Sequence, residues 1–329
     1  MREGAGAFPC AREISAMFAP VLAAATLIAL GSPSSWNLRI SIMRDRLIAE
    51  SPLIRTYGVN PFDFVFRLDY LEGRIATDAS LPEQSPERID VEQEAALELK
   101  LDAELLVNLC PVFGAIAGTD ESFYNDDPRA PPDPVAFYVP RPDAHGQYGL
   151  VIVLHGRRQT ETAIVTRTAL RDLANQTHAI LVAPWGTGGA LWGDQASAEV
   201  VAIATEMEKG FRIDSRHVYV VGVDLGGSGV FHIAARHPSM FRAVLSLGGG
   251  LPADDLFAVS HSYRNGNIYL VGENDTYAVL SHGCVPVSYH PVAGTDAGFY
   301  QTGQQIAQAW DDMFDGVIRN DASRECTTF

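Results

Sequence analysis

His217-Val218-Tyr219-Val220-Val221-Gly222-Val223-Asp224-Leu225-Gly226-Gly227-Ser228-Gly229 decides how the chain is read. Four β-favouring residues, Val218 to Val221, run into a Gly-x-x-x-Gly turn, and a helical pattern follows. In such a strand–turn–helix layout the middle residue is held on a strained elbow and presented for chemistry. Here the middle residue is Asp224. Ser228 is a poor alternative, because it lies a helical turn past the elbow and position 230 is Val where the motif needs Gly. It reads as a small packing residue.

Outward from the elbow, strands and helices alternate. Val135–Val139 is a short strand ending at Pro140. Leu150–Leu154 and Ala179–Ala183 are continuous apolar runs, the mark of strands covered on both faces. Thr160–Gln176, Ala196–Lys209 and Gly226–Arg236 carry helical spacing. Ala243–Leu247, Ile268–Val271 and Val287–Tyr289 are further strands, and Gln304–Phe314 is a closing helix. This order predicts an α/β fold, a mostly parallel sheet flanked by helices, with ligands at the carboxyl ends of the strands.

The front of the chain is less regular. Trp36–Glu50 reads as a helix. Phe62 to Tyr70 alternates apolar and polar residues and reads as a half-buried strand. Ser85-Pro86-Glu87 has the form of a helix start, and the run that follows to Leu109 is open between helix and strand. Thr119–Pro134, rich in Asp and Pro, reads as a linker. Its acids lack the spacing of a calcium loop. The expected division is a leader or anchor over 1–31, an N-terminal accessory region of mixed structure over 32–120, and the α/β domain over 121–329.

Ile14–Leu30 is an uncharged run of seventeen residues. It ends in small residues, as before a cleavage site, and is at the short limit for a membrane span. It reads as an export signal or membrane anchor, so a secreted or membrane-anchored protein is expected. Glu3, Glu13 and Pro20 favour the other reading, a buried helix of the mature protein.

With 24 basic and 40 acidic residues the net charge is −16. A chain this acidic repels nucleic acid and anionic lipid, so neither is expected as a partner. The four cysteines form no Cys-x-x-Cys pair. No metal or cofactor is expected.

From about Val135 to Phe314 the chain resembles the α/β-hydrolase superfamily, and within it the feruloyl esterase and polyhydroxybutyrate depolymerase type. Leu154-His155-Gly156 resembles the oxyanion turn. Ala183-Pro184-Trp185-Gly186 resembles the next strand end. Arg212-Ile213-Asp214-Ser215-Arg216-His217-Val218-Tyr219 is similar to the approach to the nucleophile strand, and Ala234-Ala235-Arg236-His237-Pro238-Ser239-Met240-Phe241 to the helix exit. The resemblance implies a Ser–His–acid triad. Its acid falls on Asp275, in Gly272-Glu273-Asn274-Asp275. Its serine falls on Asp224 and its histidine on Asp296, in Ala293-Gly294-Thr295-Asp296-Ala297-Gly298-Phe299. The oxyanion and pocket positions implied are His155, Gly156, Arg157, Leu225 and Trp185, with Trp192 and Tyr277 as further pocket candidates.

Three carboxylates so placed cannot all ionise cheaply without a cation. Arg157 or Arg158, just after His155-Gly156, could pair with Asp224. The expectation is a hydrolase fold with a degenerate triad, kept for binding or structure, whose partner is a small ester or a protein. The alternative is a hydrolase that uses Asp224 as nucleophile or base, as related dehalogenases and epoxide hydrolases do, with His290 or His282 supplying the missing base. A third reading is a serine esterase using another serine.

Overall fold

The computed structural model describes residues 33–57, 59–106, 117–124, 133–141, 146–157, 159–186, 192–272, 275–292 and 303–319. Ile14–Leu30, Cys10, Cys110, Cys326, Arg158 and Asp296 lie outside them. The chain divides into two compact units, Met1–Phe113 with Asp120–Val135, and Gly114–Thr119 with Ala136–Phe329.

The first unit is built on three helices, α1 (Pro33–Ala49), α2 (Pro61–Asp78) and α3 (Pro86–Leu106), with strand β1 (Gly118–Tyr124). The strand expected at Phe62–Tyr70 is instead the first half of α2. Asn60 caps it by accepting from the Phe62 N–H, and Pro61 takes an early helical position where its missing N–H costs nothing. The buried residues Phe64, Leu68, Leu71 and Ile75 recur at helical spacing. Phe62 and Phe66 lie on the other side and are exposed. Counting them as core turned a helix into an apparent alternation. The ambiguous run after Ser85 is helical to Leu106, and the Ser85 Oγ accepts from the Arg88 N–H at 3.3 Å as expected for a cap. The linker reading of Thr119–Pro134 is corrected in its first part, where β1 runs to Tyr124.

Charge is buried inside this unit. Arg67 grips both oxygens of Glu98 at 2.6 and 2.7 Å and reaches Glu121 at 2.9 Å, all three almost completely enclosed. Asp102 is also fully buried, and among the described residues neither of its oxygens has a hydrogen-bond partner. Burial, above all, pushes both carboxyls up, Glu98 to about 7, against the opposing pull of Arg67.

The second unit carries most of the sheet: β2 (Asp133–Val139), β3 (Tyr148–Leu154), α4 (Glu161–Val165), α5 (Thr168–Thr177), β4 (Ala179–Pro184), α6 (Asp194–Gly210), β5 (Ile213–Val223), α7 (Leu225–Arg236), β6 (Ala243–Leu247), α8 (Leu256–Ser262), β7 (Ile268–Gly272), α9 (Asp275–His282), β8 (Val287–Pro291) and α10 (Gly303–Asp315). The strand order is β1-β2-β4-β3-β5-β6-β7-β8, and the ladders joining β3 through β8 are parallel. Strands expected from continuous apolar runs are buried along nearly their whole length. The single helix expected over Thr160–Gln176 is two, broken at Thr166-Arg167. The Thr166 hydroxyl turns back to donate to the Thr162 carbonyl at 2.9 Å, which competes with helix propagation. One core cluster packs Trp310 and Met313 of α10 and Leu170 and Leu173 of α5 against Val151, Tyr219, Leu245 and Tyr269.

The raised carboxyls predict an unusual pH response. An acid with a raised folded pKa binds its proton more tightly in the folded state. Its contribution is present below the ordinary carboxylate value and is lost as pH rises through about 7. Asp102→Asn removes one such titration while keeping the side-chain shape. The loss of thermal midpoint between about pH 5 and about pH 8 is therefore expected to be smaller in Asp102→Asn than in the wild type by scanning calorimetry. Identical pH dependence would contradict the assignment.

Candidate active site

The register of the parallel ladders gathers three loop starts. Leu154 pairs with Gly222, and Val223 pairs with Leu247. The residues just beyond must then meet: His155-Gly156-Arg157 after β3, Asp224-Leu225 after β5 and Gly248-Gly249-Gly250 after β6.

Asp224 stands between β5 and α7 with φ 51° and ψ −114°. A residue with a Cβ enters that region only at a cost, which the surrounding structure must over-determine. It does so through the backbone. The Asp224 N–H donates to the Leu247 carbonyl at 2.9 Å, and the Asp224 carbonyl accepts from the Ser228 N–H at 3.2 Å. Two glycines make the turn sterically possible. A Cβ on Gly226 would fall 2.1 Å from the Leu154 carbonyl oxygen, and one on Gly222 would fall 2.0 Å from the Gly226 oxygen.

The Asp224 carboxylate does not stand alone. Its Oδ2 accepts a hydrogen bond from the Arg157 backbone N–H at 3.0 Å. Arg157 is exposed, and among the described residues its guanidinium makes no ion pair with Asp224. For Arg157 the expected side-chain pairing is thus replaced by a main-chain one; Arg158 lies outside the described residues. The register carries the backbone of residue 157 up to the elbow.

The preceding residues are held by local bonds. The Gly156 N–H donates to Gln159 Oε1 at 2.9 Å. His155 is buried, with Nδ1 3.0 Å from the Gly156 oxygen and Nε2 3.0 Å from the Trp185 oxygen. The Trp192 indole N–H donates to the His155 carbonyl at 3.1 Å, and its ring meets the His155 ring edge-on at 5.2 Å. Both imidazole nitrogens therefore face backbone carbonyls, which makes His155 a brace for this turn. Trp192 is buried just ahead of α6, and Tyr277 lies within α9, not on a loop, stacked on Tyr289 at 4.6 Å. Leu225 opens α7 and is half-buried.

Asp275 opens α9 and is exposed. It borders a cavity of about 210 Å³ at the carboxyl ends of β6 and β7, together with Ser246, Gly248, Gly249, Gly250 and Thr276. Asp296, expected at the histidine position, lies outside the described residues.

The two histidines considered as bases are engaged elsewhere. His290 is buried on β8, with Nε2 3.2 Å from Asp312 Oδ2 and 3.4 Å from Ser288 Oγ. Burial lowers its pKa below the ordinary imidazole value, although Asp312 opposes this. His282 Nδ1 sits 2.6 Å from the Ala278 carbonyl at the end of α9. Among the described residues no imidazole is hydrogen-bonded to Asp224 or Asp275.

One polar cluster escaped the sequence reading. His232 Nδ1 lies 3.1 Å from Asp255 Oδ2, and its Nε2 lies 3.2 Å from Asp194 Oδ1. Arg236 Nη1 donates to Asp255 at 3.0 Å, and Nε to Asp194 at 2.5 Å. The i, i+4 spacing of His232 and Arg236 is visible in sequence. Their acids come from α6 and the turn before α8, and only the fold brings them in. The cluster ties α7 to the start of α6 and to the turn before α8.

With this geometry in place the class of the molecule is settled: the chain has the α/β-hydrolase fold. No family model matches it. The bifunctional acetylxylan esterase/xylanase XynS20E of Neocallimastix patriciarum is 28% identical over 131 residues, 38% of this chain and 19% of that protein. The chain thus spans about a fifth of that relative's length. A ferulic acid esterase structure superposes with TM-score 0.51 at 14% identity, over 60% of this chain and 98% of the other. A 2,6-dihydroxy-pseudo-oxynicotine hydrolase structure gives 0.51 at 15% identity, over 91% of this chain and 94% of the other.

The close approach at Gly226 supplies a direct test of the elbow. Gly226→Ala places a methyl against fixed backbone, so the loss of stability is expected to exceed about 3 kcal/mol in urea denaturation. A variant as stable as the wild type would mean that β3 and α7 do not meet there.

Proposed function

We propose that the protein is an esterase-like hydrolase fold without serine-esterase activity, retained for binding or structure, with Asp224 and Asp296 at the positions where esterases of this fold carry serine and histidine. The observation that supports this reading most directly is the Arg157 N–H donated to Asp224 Oδ2 at 3.0 Å. An N–H in this place would serve an acyl-transfer reaction by binding the oxyanion of the tetrahedral intermediate. Here it binds the protein's own side chain. A substrate oxygen developing negative charge would meet a negative group where it needs a free donor. The engagement of His155, His282 and His290 with other partners agrees with this reading, because among the described residues no imidazole is hydrogen-bonded to Asp224. The ligand retained at such a site is a small ester or related molecule, or a protein.

A fluorophosphonate probe is expected to leave the wild-type protein unlabelled, and Asp224→Ser to remain without measurable hydrolysis of a para-nitrophenyl ester. Labelling of the wild type, or activity gained by that one change, would reveal a serine and a base that this reading excludes.

The same hydrogen bond favours a second reading. A carboxylate steadied through Oδ2 keeps its other oxygen for attack on an epoxide carbon; the ring C–O bond breaks, its oxygen leaves as an alkoxide that takes a proton from water, and an ester forms on Asp224. Incubation with an alkyl epoxide followed by peptide mass analysis separates the two. An adduct on Asp224 would replace the binding role with a catalytic one.

A further inference from the structure

The buried charge of the first unit has a pattern. Along α3 the acids Asp90, Glu94, Glu98 and Asp102 recur every four residues, and all four are almost completely enclosed. That spacing sets them on one side of the helix. α2 meets the stripe with two arginines, Arg74 on Glu94 and Arg67 on both oxygens of Glu98. β1 adds another enclosed acid, Glu121, on the Arg67 guanidinium. Neighbouring charges have other partners. Lys100 holds Asp120 at 2.7 Å and Glu104 at 3.0 Å, and Arg44 of α1 holds Asp69 and Glu72 of α2.

Three enclosed carboxyls, Glu98, Glu121 and Asp102, thus surround one guanidinium, and among the described residues neither Asp102 oxygen has a hydrogen-bond partner. Enclosed charges are tolerated only when they are balanced, and three carboxylates exceed one arginine. A metal ion does not close the gap, since among the described residues no three such side chains are arranged to hold one. Protons close it. Burial, the largest cause, raises Glu98 to about 7 and Asp102 well above the ordinary carboxylate value. All of these groups lie in the first unit, which has its own apolar core of Ile40, Leu47, Phe64, Leu68, Leu101 and Leu105. A unit with its own core can open by itself.

We propose that the acid stripe of α3 is a proton-operated latch: α3 stays closed on Arg67 and Glu121 while Glu98 and Asp102 hold protons, and the first unit opens locally along α3 as those protons leave. An opened α3 gives up its protons near the ordinary carboxylate value. The closed form retains them to about pH 7 and beyond. Each pH unit in that interval therefore favours opening by about tenfold for every proton retained. Arg67 keeps the latch from failing at once, because it still holds Glu98 and Glu121 when Asp102 ionises. The proposal is independent of the chemistry at Asp224.

Hydrogen exchange of the full-length protein, read by peptide mass analysis and corrected for the intrinsic pH dependence of amide exchange, tests this. Between about pH 5 and about pH 8 the protection of the α3 peptide is expected to fall at least roughly tenfold, while the β5 peptide of the second unit keeps its protection. Asp102→Asn is expected to make the fall at α3 several-fold smaller. Asp102→Leu, which fills the same enclosed place without a titrating group, is expected to do the same. The proposal is overturned if α3 keeps its protection at the higher pH. It is also overturned if β5 loses protection in step with α3, which would mark unfolding of the whole chain, or if both variants retain the wild-type pH dependence.

Discussion

The hydrolase unit depends on one steric constraint, the passage of Gly226 against the Leu154 carbonyl with Gly222 directly beneath it. These contacts leave no room for a Cβ at either position. They pull the start of α7 down onto β3 and force the intervening residue to φ 51°. The strain at Asp224 is the consequence, and it is held by ladder hydrogen bonds that the parallel sheet supplies on both sides. The same approach sets the Arg157 N–H within reach of the elbow side chain. Geometry that could serve catalysis is thus present whatever residue occupies position 224, and the identity of that residue decides what the geometry does.

At position 224 an acid sets what the neighbouring Arg157 N–H meets. A serine hydroxyl would leave the Arg157 N–H available to a substrate oxygen. A carboxylate takes that donor for itself, at 3.0 Å. The bracing of His155 between two carbonyls then reads as support for the turn, since it keeps the backbone of residues 155–157 in register with the elbow. The helical unit shows the converse arrangement. Its acids, Glu98, Glu121 and Asp102, are enclosed around Arg67, and their partial neutralisation makes burial tolerable.

Much of the hydrolase unit was legible in sequence because strands buried on both faces announce themselves. Leu150–Leu154 and Ala243–Leu247 are uninterrupted apolar runs, and no helical period fits such short stretches bounded by turns. The helical unit was legible only in part. Phe62 and Phe66 broke the period that would have identified α2, because an apolar residue on the outer face is indistinguishable, in sequence, from one in the core. The alternation of Leu97, Leu99 and Leu101 left α3 open between helix and strand. The break at Thr166 was hidden, since a threonine that turns back on its own helix looks like any helical threonine.

By itself the sequence determined the alternation of strands and helices, the elbow with its obligatory glycines, and the presence of an acid at that elbow. These are local properties, written in short windows by side-chain period and by the absence of a Cβ. Only the tertiary structure decided which atoms the acid meets. Asp224 and Arg157 lie 67 positions apart. Whether the guanidinium or the backbone N–H would reach the carboxylate followed from the register between β3 and β5, a relation between distant segments that no window contains. The cluster of His232 and Arg236 with Asp194 and Asp255, and the burial of acids around Arg67, are of the same kind. The residue types were plain from the start, and packing alone gave them partners.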